Sequence, residues 1–351
     1  MNPPHARIEG RRQRRMRLTA ARRKMVQETH LDPAHLIQPI FVTSAKSGVR
    51  DGLPGLPGMV AVSLDRLAEE AAEWTELGLG AVLLFGVVPD AEKTPSGAPA
   101  LDPDGPVPQA LRLLRTIAPD LILISDLCLC EYTNHGHCGI IRELNRGKSA
   151  APHSLNPGLI GQLDNDQSVE RLVEMACLHA QAGADIVAPS DMLDFRIQAI
   201  RQGLDRIGAT DVALMSYAAK FASHLYGPFR DQAGSTLLCG DRRSHQLPIA
   251  NRREALAEVD QDVTEGADLL LVKPASCYLD LVRDIRDRHP HPLAVYQVSG
   301  EYAMIKSGAA AGWLDEQAVF QEHFLSFRRA GADLIISYHA KEWLRHYRSQ
   351  T

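Results

Sequence analysis

The sequence predicts an α/β protein built as a closed (β/α)8 barrel, with an extended N-terminal arm in front of it. Three observations predict this. Beyond residue 35, eight short aliphatic runs alternate with longer amphipathic stretches. A Gly-Ala-Asp repeat recurs where an amphipathic stretch gives way to a run. Polar, reactive side chains gather at the C-terminal ends of the runs, and that rim is where a closed barrel of this type carries its chemistry.

The runs are Ile37–Val42, Ala81–Val87, Leu121–Leu129, Ala184–Ser190, Asp211–Tyr217, Ala267–Pro274, Pro292–Ser299 and Ala332–His339. Their near-continuous apolar character implies burial on both faces, as in parallel strands covered by helices. Between them, helices are expected over Leu64–Leu77, Gln109–Ile117, Ser168–Gln181, Phe195–Arg206, Arg252–Glu265 and Glu316–Arg329. Ala182-Gly183-Ala184-Asp185, Gly266-Ala267-Asp268 and Ala330-Gly331-Ala332-Asp333 share one pattern. A glycine ends each helix in the left-handed conformation and a buried strand follows. An open doubly wound sheet would share that local pattern, but eight units and the polar rim favour closure.

The chain has 351 residues, which divide into an arm at 1–34 and a barrel at 35–351. Apolar residues are 45% of the chain, enough for a large core. Aromatics are only 5% and the formal charge is −5, so neither stacking platforms nor a global basic field point to nucleic acid. No apolar run is long enough to span a membrane. The N-terminus has no apolar secretory stretch and the six cysteines are too sparse for a disulfide scaffold, so a cytoplasmic, reducing setting is expected. Residues 7–24 hold nine basic side chains (Arg7, Arg11, Arg12, Arg14, Arg15, Arg17, Arg22, Arg23, Lys24) against Glu9 alone. That stretch reads as a solvated tail, as an arm packing on an acidic neighbouring subunit, or as a nucleic-acid or targeting segment.

Lys273 directly follows the apolar Leu269-Leu270-Leu271-Val272, so its amine ends in or near the barrel mouth. A lysine there can simply snorkel to water or pair with a carboxylate. Lys220, at the end of the neighbouring strand, argues for more. Two nearby ammonium groups repel, and burial disfavours charge, so both effects lower a lysine pKa. An unperturbed lysine offers about one free amine in 2,500 at pH 7, and a drop of about three units is worth roughly 4 kcal/mol. Such amines form Schiff bases with ketones or aldehydes.

Cys128 and Cys130 share one face of an extended segment, and Cys138 returns through a loop containing His135, Gly136 and His137. Three thiolates favour Zn²⁺ and leave a fourth position for water or substrate. A closed four-ligand zinc using His135 or His137, or three buried free thiols, are the alternatives. Cys177, Cys239 and Cys277 have no partner at metal spacing. Arg230 and Arg242 offer the forked geometry that grips carboxylates. Ser299 and Tyr338 can bind a second carboxylate through their hydroxyls. Asp126, beside the cysteines, can orient a lysine or carry a proton.

From about Arg14 to Tyr338 the chain resembles the porphobilinogen synthase (δ-aminolevulinic acid dehydratase) family. The resemblance is carried by Asp126-Leu-Cys-Leu-Cys-Glu-Tyr-Thr-Asn-His-Gly-His-Cys138-Gly139, Ala188-Pro-Ser-Asp-Met192, Lys220-Phe-Ala-Ser, Tyr226-Gly-Pro-Phe-Arg230, Asn251-Arg-Arg-Glu-Ala255, Val272-Lys-Pro274, Tyr296-Gln-Val-Ser-Gly-Glu-Tyr302 and Ile336-Ser-Tyr-His339. It implies a TIM-barrel catalytic domain condensing two 5-aminolevulinate molecules to porphobilinogen, with loss of two waters, in tetrapyrrole (haem) synthesis. Lys273 and Lys220 match the two Schiff-base lysines. Cys128, Cys130 and Cys138 match the Zn²⁺ ligands of the zinc-dependent branch. Arg230 and Arg242 match the grip on one substrate carboxylate, and Ser299 and Tyr338 the grip on the other. Glu258 falls at the position of an allosteric Mg²⁺ ligand in some members. The family assembles arm-hugging dimers into homo-octamers, which favours the arm reading of the basic start.

Two departures stand out. The family pattern Met-Asp-Gly-Arg is Leu193-Asp194-Phe195-Arg196 here, so a bulky ring is expected to narrow the site, alter a lid or pack on a helix. The segment Ala45–Gly52 also differs from the usual Glu-Gly after the first strand. A Schiff-base aldolase on the same barrel and a non-catalytic zinc-binding homologue are the competing readings. The first leaves the second lysine and the thiols without a task.

Overall fold

A computed structural model describes residues 12–44, 55–142, 163–232 and 241–350. Arg7, Arg11, residues 45–52 and Cys239, all singled out above, lie outside the described residues.

Eight parallel strands close into a barrel: β1 (Leu36–Thr43), β3 (Ala81–Val87), β4 (Ile122–Leu127), β5 (Ile186–Pro189), β6 (Ala213–Lys220), β7 (Leu269–Lys273), β8 (Leu293–Gln297) and β9 (Leu334–Ser337). Closure is made by β9 pairing with β1, Leu36 opposite Ile335 and Ile37 opposite Ile336. A ninth short strand, β2 (Ala61–Ser63), adds to the far end of β1 outside the ring. Three residues are too few to register as an apolar run, and the sequence gives no sign of it.

The eight expected runs all hold strands, within three residues at each end. The expected helices are α2 (Leu67–Leu77), α3 (Pro106–Ile117), α4 (Asn165–Ala182), α5 (Arg196–Arg206), α7 (Arg252–Thr264) and α10 (Glu316–Ala330). Helices α8 (Leu279–Arg288), α9 (Ser299–Ala310) and α11 (Ala340–Gln350) complete the outer ring, with short α1 (Ala20–Met25) in the arm and α6 (Gly227–Gln232) over the mouth. Among the described residues no helix is long and apolar enough to cross a membrane.

Strand alternation splits the core into two layers. Ile37, Phe41, Leu83, Phe85, Ile124, Met215, Tyr217, Leu271, Tyr296 and Ile336 fill the barrel, while Ile40, Val82, Leu84, Leu123, Leu214, Leu270, Val295 and Ile335 meet the helices. Burying each such aliphatic side chain contributes about 1.5–3 kcal/mol.

The Gly-Ala-Asp repeat has a fuller meaning than helix termination. Gly183 (φ 108°) and Gly331 (φ 123°) do end α4 and α10 in a region that side chains with a Cβ avoid. The aspartates two residues on, not weighed in the sequence, bind the neighbouring strand. Asp185 Oδ2 accepts the Leu123 amide at 2.7 Å, Asp268 Oδ2 that of Leu214 at 2.8 Å, and Asp333 Oδ2 that of Leu293 at 2.9 Å. Each ties the start of one strand to the start of the next, so the repeat staples the barrel floor opposite the reactive rim.

In the arm, the short 3-10 turn Gln13–Arg17 and α1 have no buried residue, and Leu18 and Met25 are exposed. Phe195 caps the start of α5 at φ 62° and is 61% exposed. Its ring is not among the residues lining the cavity over the lysines, so of the three placements the sequence leaves open, narrowing of the site is the one this geometry does not support.

Candidate active site

Strands β6 and β7 set the centre of the site. Lys220 and Lys273 are Cα partners across this pair, each at the last residue of its strand. Between Ser216 and Ala219 the register slips, three steps on β6 facing two on β7. That bulge re-aims the strand. Tyr217 points into the barrel, Ala218 and Ala219 point out to the helices, and Lys220 points in again. A regular strand would alternate and send Lys220 outward.

Both amines therefore stand over one ring, Lys220 Nζ 5.6 Å and Lys273 Nζ 5.2 Å from the centroid of Tyr217. Lys273 is further enclosed by Tyr296 (4.2 Å), Phe229 (5.4 Å) and Tyr226 (5.5 Å), whose electron-rich faces partly replace water around the cation. Burial in this cage, then the Lys220 charge, pushes its pKa down to about 7, against the opposing pull of Asp126. Lys220 Nζ donates to the Ser190 carbonyl at the end of β5. Tyr226 Oη donates to the Lys273 carbonyl at 3.1 Å, holding the end of β7.

Asp126 closes β4 below the amines. Burial raises its pKa to about 6, with Lys273 and Lys220 opposing. Its Oδ2 accepts from Ser190 Oγ at 3.1 Å, and the adjoining buried Tyr217 hydroxyl also favours its charged form.

The three thiols converge as the sequence led one to expect. Cys128, Cys130 and Cys138 are fully buried with their sulfur atoms within 4.8 Å of one another, Cys128 and Cys130 at 3.2 Å. Zn–S bonds of about 2.3 Å in a tetrahedron set sulfurs about 3.8 Å apart, so the trio fits one zinc ion after small adjustment. Among the described residues no histidine nitrogen lies within that range of all three. His135 is engaged elsewhere, Nε2 with the Pro95 carbonyl at 3.0 Å and Nδ1 with the His137 amide at 3.1 Å, so the geometry does not favour a closed four-ligand site. Hydrogen bonds from Cys128 and Cys130, then the Arg242 charge, hold Cys138 well below the usual thiol range.

Arg242 is buried between this trio and the cavity, donating to the Gly136 carbonyl at 2.7 Å. Ser299 opens α9, its Oγ accepting the Phe229 amide at 3.0 Å. Tyr338 Oη lies 3.2 Å from Tyr296 Oη. The cavity over the lysines is lined by Arg242, Ser299 and Tyr338 together with Cys130, Ser190 and Phe229. Arg230 belongs to α6 over the mouth, and its side chain lies outside the described residues. Glu258, on α7, lines a separate cavity of about 380 Å³ with Asp194 and Glu254, and does not join the lysines.

Besides the aromatic cage of Tyr226, Phe229 and Tyr296, two polar lining residues were given no role from the sequence. Gln246 is 2% exposed, and both its amide atoms face the cavity region without a hydrogen bond among the described residues. Glu131, 3% exposed, is pushed up to about 8 by burial and then by Asp126. Only their adjacency to Arg242 and Cys130 in the chain could have flagged them.

A closed parallel barrel with two amines over one aromatic ring, facing a buried thiol trio, defines a class of barrel enzyme built for carbonyl chemistry. Comparison with known proteins narrows this. The delta-aminolevulinic acid dehydratase family pattern matches residues 10–346. The delta-aminolevulinic acid dehydratase of Halalkalibacterium halodurans is 47% identical over 334 residues, covering 95% of this chain and 96% of that one. The Bacillus subtilis protein is 44% identical over 336 residues, covering 95% and 98%. The solved structure of the Toxoplasma gondii enzyme, in complex with the reaction product porphobilinogen, superposes with a TM-score of 0.89 at 39% identity, over 96% of this chain and 92% of that one. The chain belongs to the delta-aminolevulinic acid dehydratase family and is a lyase.

Proposed function

We propose that the protein condenses two molecules of 5-aminolevulinate to porphobilinogen, with Lys273 and Lys220 each carrying one substrate as a Schiff base. The observation that carries this reading is the registered lysine pair sharing Tyr217. One amine suffices for an aldolase; two amines at adjacent strand ends suit two ketones held side by side.

Each amine attacks a substrate ketone and expels its oxygen as water, so two imines account for the two waters lost. Lys273, with its depressed pKa, supplies a free amine near neutrality. The imine at Lys273 makes its substrate an electrophile, and that at Lys220 raises the acidity of the neighbouring carbon of the second substrate, whose attack forms the carbon–carbon bond. The amine of the first substrate then attacks the carbon held by Lys220, and each lysine leaves as a free amine as ring protons are lost, so no further water is released. Asp126 lies where it can accept or return a proton at these centres. Arg242 and Arg230 grip one carboxylate, with Gln246 lining the cavity beside Arg242, and Ser299 and Tyr338 grip the other. Holding two flexible molecules in distinct poses supplies a large share of the rate, since effective molarities are worth about 7–11 kcal/mol.

Cys128, Cys130 and Cys138 would hold Zn²⁺, which when bound supplies Lewis acidity and lowers the pKa of bound water. Glu258, beside Asp194 and Glu254, is proposed as a Mg²⁺ ligand outside the active site; magnesium stimulation that persists in Glu258→Gln would refute it. The exposed arm is proposed to embrace a second subunit, building a homo-octamer in the cytoplasm with no nucleic-acid or membrane partner. Removing residues 1–25 should then lower the native mass, and an unchanged mass contradicts that assembly.

Pyrrole production from 5-aminolevulinate, measured with and without a zinc chelator, tests the whole reading. Loss on chelation and recovery with added zinc support it; no pyrrole from zinc-loaded protein rejects it.

A further inference from the structure

Glu301 lies in the first turn of α9, outside the cavity lining, and is 1% exposed. An ordinary explanation exists for part of its position. A glutamate three residues into a helix often reaches back to the amide at the helix start, and Glu301 Oε2 does accept the Val298 amide at 2.6 Å. Its remaining bonds leave the helix. Oε1 accepts the Ser276 amide at 2.6 Å and Oε2 also approaches the Ala275 amide at 3.4 Å, both just past the end of β7. One buried carboxylate thus ties the backbone that follows Lys273 to the backbone that immediately precedes Ser299. Ser276 is held a second time, its Oγ 3.3 Å from His323 Nδ1, and the same nitrogen lies 3.3 Å from Gln297 Nε2 on β8. The C-terminal ends of β7 and β8 are therefore locked together beside the site.

We infer that Glu301 is a positioning residue that sets the spacing between the Lys273 amine and the Ser299 hydroxyl. This rests on the proposed function, in which Lys273 binds the ketone and Ser299 a carboxylate of bound substrate. A short chain bonded at one end and gripped at the other reacts only if those two anchors match its length, and a misplacement of about 1 Å can cost about a hundredfold. Lys220 is outside the clamp: it sits on β6 and contacts Ser190.

The test uses the whole zinc-loaded protein, as wild type and as Glu301→Gln, incubated with 5-aminolevulinate and reduced with borohydride. Adducts at each lysine are then quantified by peptide mass. Glutamine keeps the shape but turns an NH₂ donor toward amide donors. The adduct at Lys273 is expected to fall about tenfold or more, while that at Lys220 stays within about twofold and zinc content is unchanged. Equal adducts at Lys273 in the two proteins overturn the inference, and so does a parallel loss at both lysines, which would mark a fold-wide role. Should Glu301→Gln not fold, Glu301→Asp decides: it keeps the charge but withdraws it by one methylene, and the same selective loss is expected. Absence of a Lys273 adduct in the wild type rejects the proposed function and this inference together, and is distinguishable from failure of the inference alone.

Discussion

Lys220 and Lys273 occupy paired positions at the ends of β6 and β7, and their amines stand 5.6 and 5.2 Å from the centre of the same Tyr217 ring. The slip in register between Ser216 and Ala219 produces this pairing, because it brings Tyr217 and Lys220 to the same side of a strand although three residues separate them. Two amines so placed are costly to keep charged together, and the relief of that cost is a free amine.

Replacing Lys220 by alanine should lower kcat by about a thousandfold or more while Lys273 still forms its adduct with 5-aminolevulinate. Steady-state pyrrole assays and adduct mapping check this. Full activity in Lys220→Ala would favour a one-lysine mechanism of the aldolase kind.

The depressed pKa of Lys273 fixes the sign of a pH effect. The protonated amine cannot attack, so adduct formation at Lys273 should rise as pH climbs through about 7 and level off above about 8. An ordinary lysine would still be rising near pH 10. In Lys220→Met the repelling charge is gone, and the midpoint should move to higher pH. Initial adduct-formation rates across pH measure both effects, and an unmoved midpoint would show that the Lys220 charge contributes nothing.

Cys128→Ala and Cys138→Ala each leave two thiols, which no longer encircle an ion. Both variants are expected to lose bound zinc and pyrrole production while keeping native far-UV circular dichroism. Full zinc content in either variant would mean that the metal sits elsewhere.

Asp333 binds the Leu293 amide at the barrel floor and pairs with Arg286. Asp333→Ala should destabilise the fold by about 2 kcal/mol with little change in KM, because the site is at the opposite end. Denaturant unfolding measures the first effect and substrate titration the second. An unchanged unfolding midpoint would remove the stapling role.

The barrel was legible because eight strands buried on both faces leave unbroken aliphatic runs, and because helix-ending glycines punctuate them. The reactive rim was legible for the same reason, since Lys273 or Asp126 at the end of such a run has nowhere to go but the mouth. What stayed hidden depends on contacts between segments. Ser216-Tyr217-Ala218-Ala219 reads as more strand, and only pairing with β7 reveals the bulge. Gln246 and Glu131 become cavity residues only once their loops fold over the rim. For Phe195 the sequence left three placements open, narrowing the site, altering a lid or packing on a helix; a left-handed helix cap leaves its ring largely exposed. The aspartates of the repeat had no role assigned from the sequence, because their partners lie on neighbouring strands.

The most direct test of the central claim is to trap the protein with 5-aminolevulinate and borohydride and map the modified residues by peptide mass. Substrate-derived mass on both Lys273 and Lys220 is the predicted result. Label on neither lysine, in protein that still makes porphobilinogen, would contradict it.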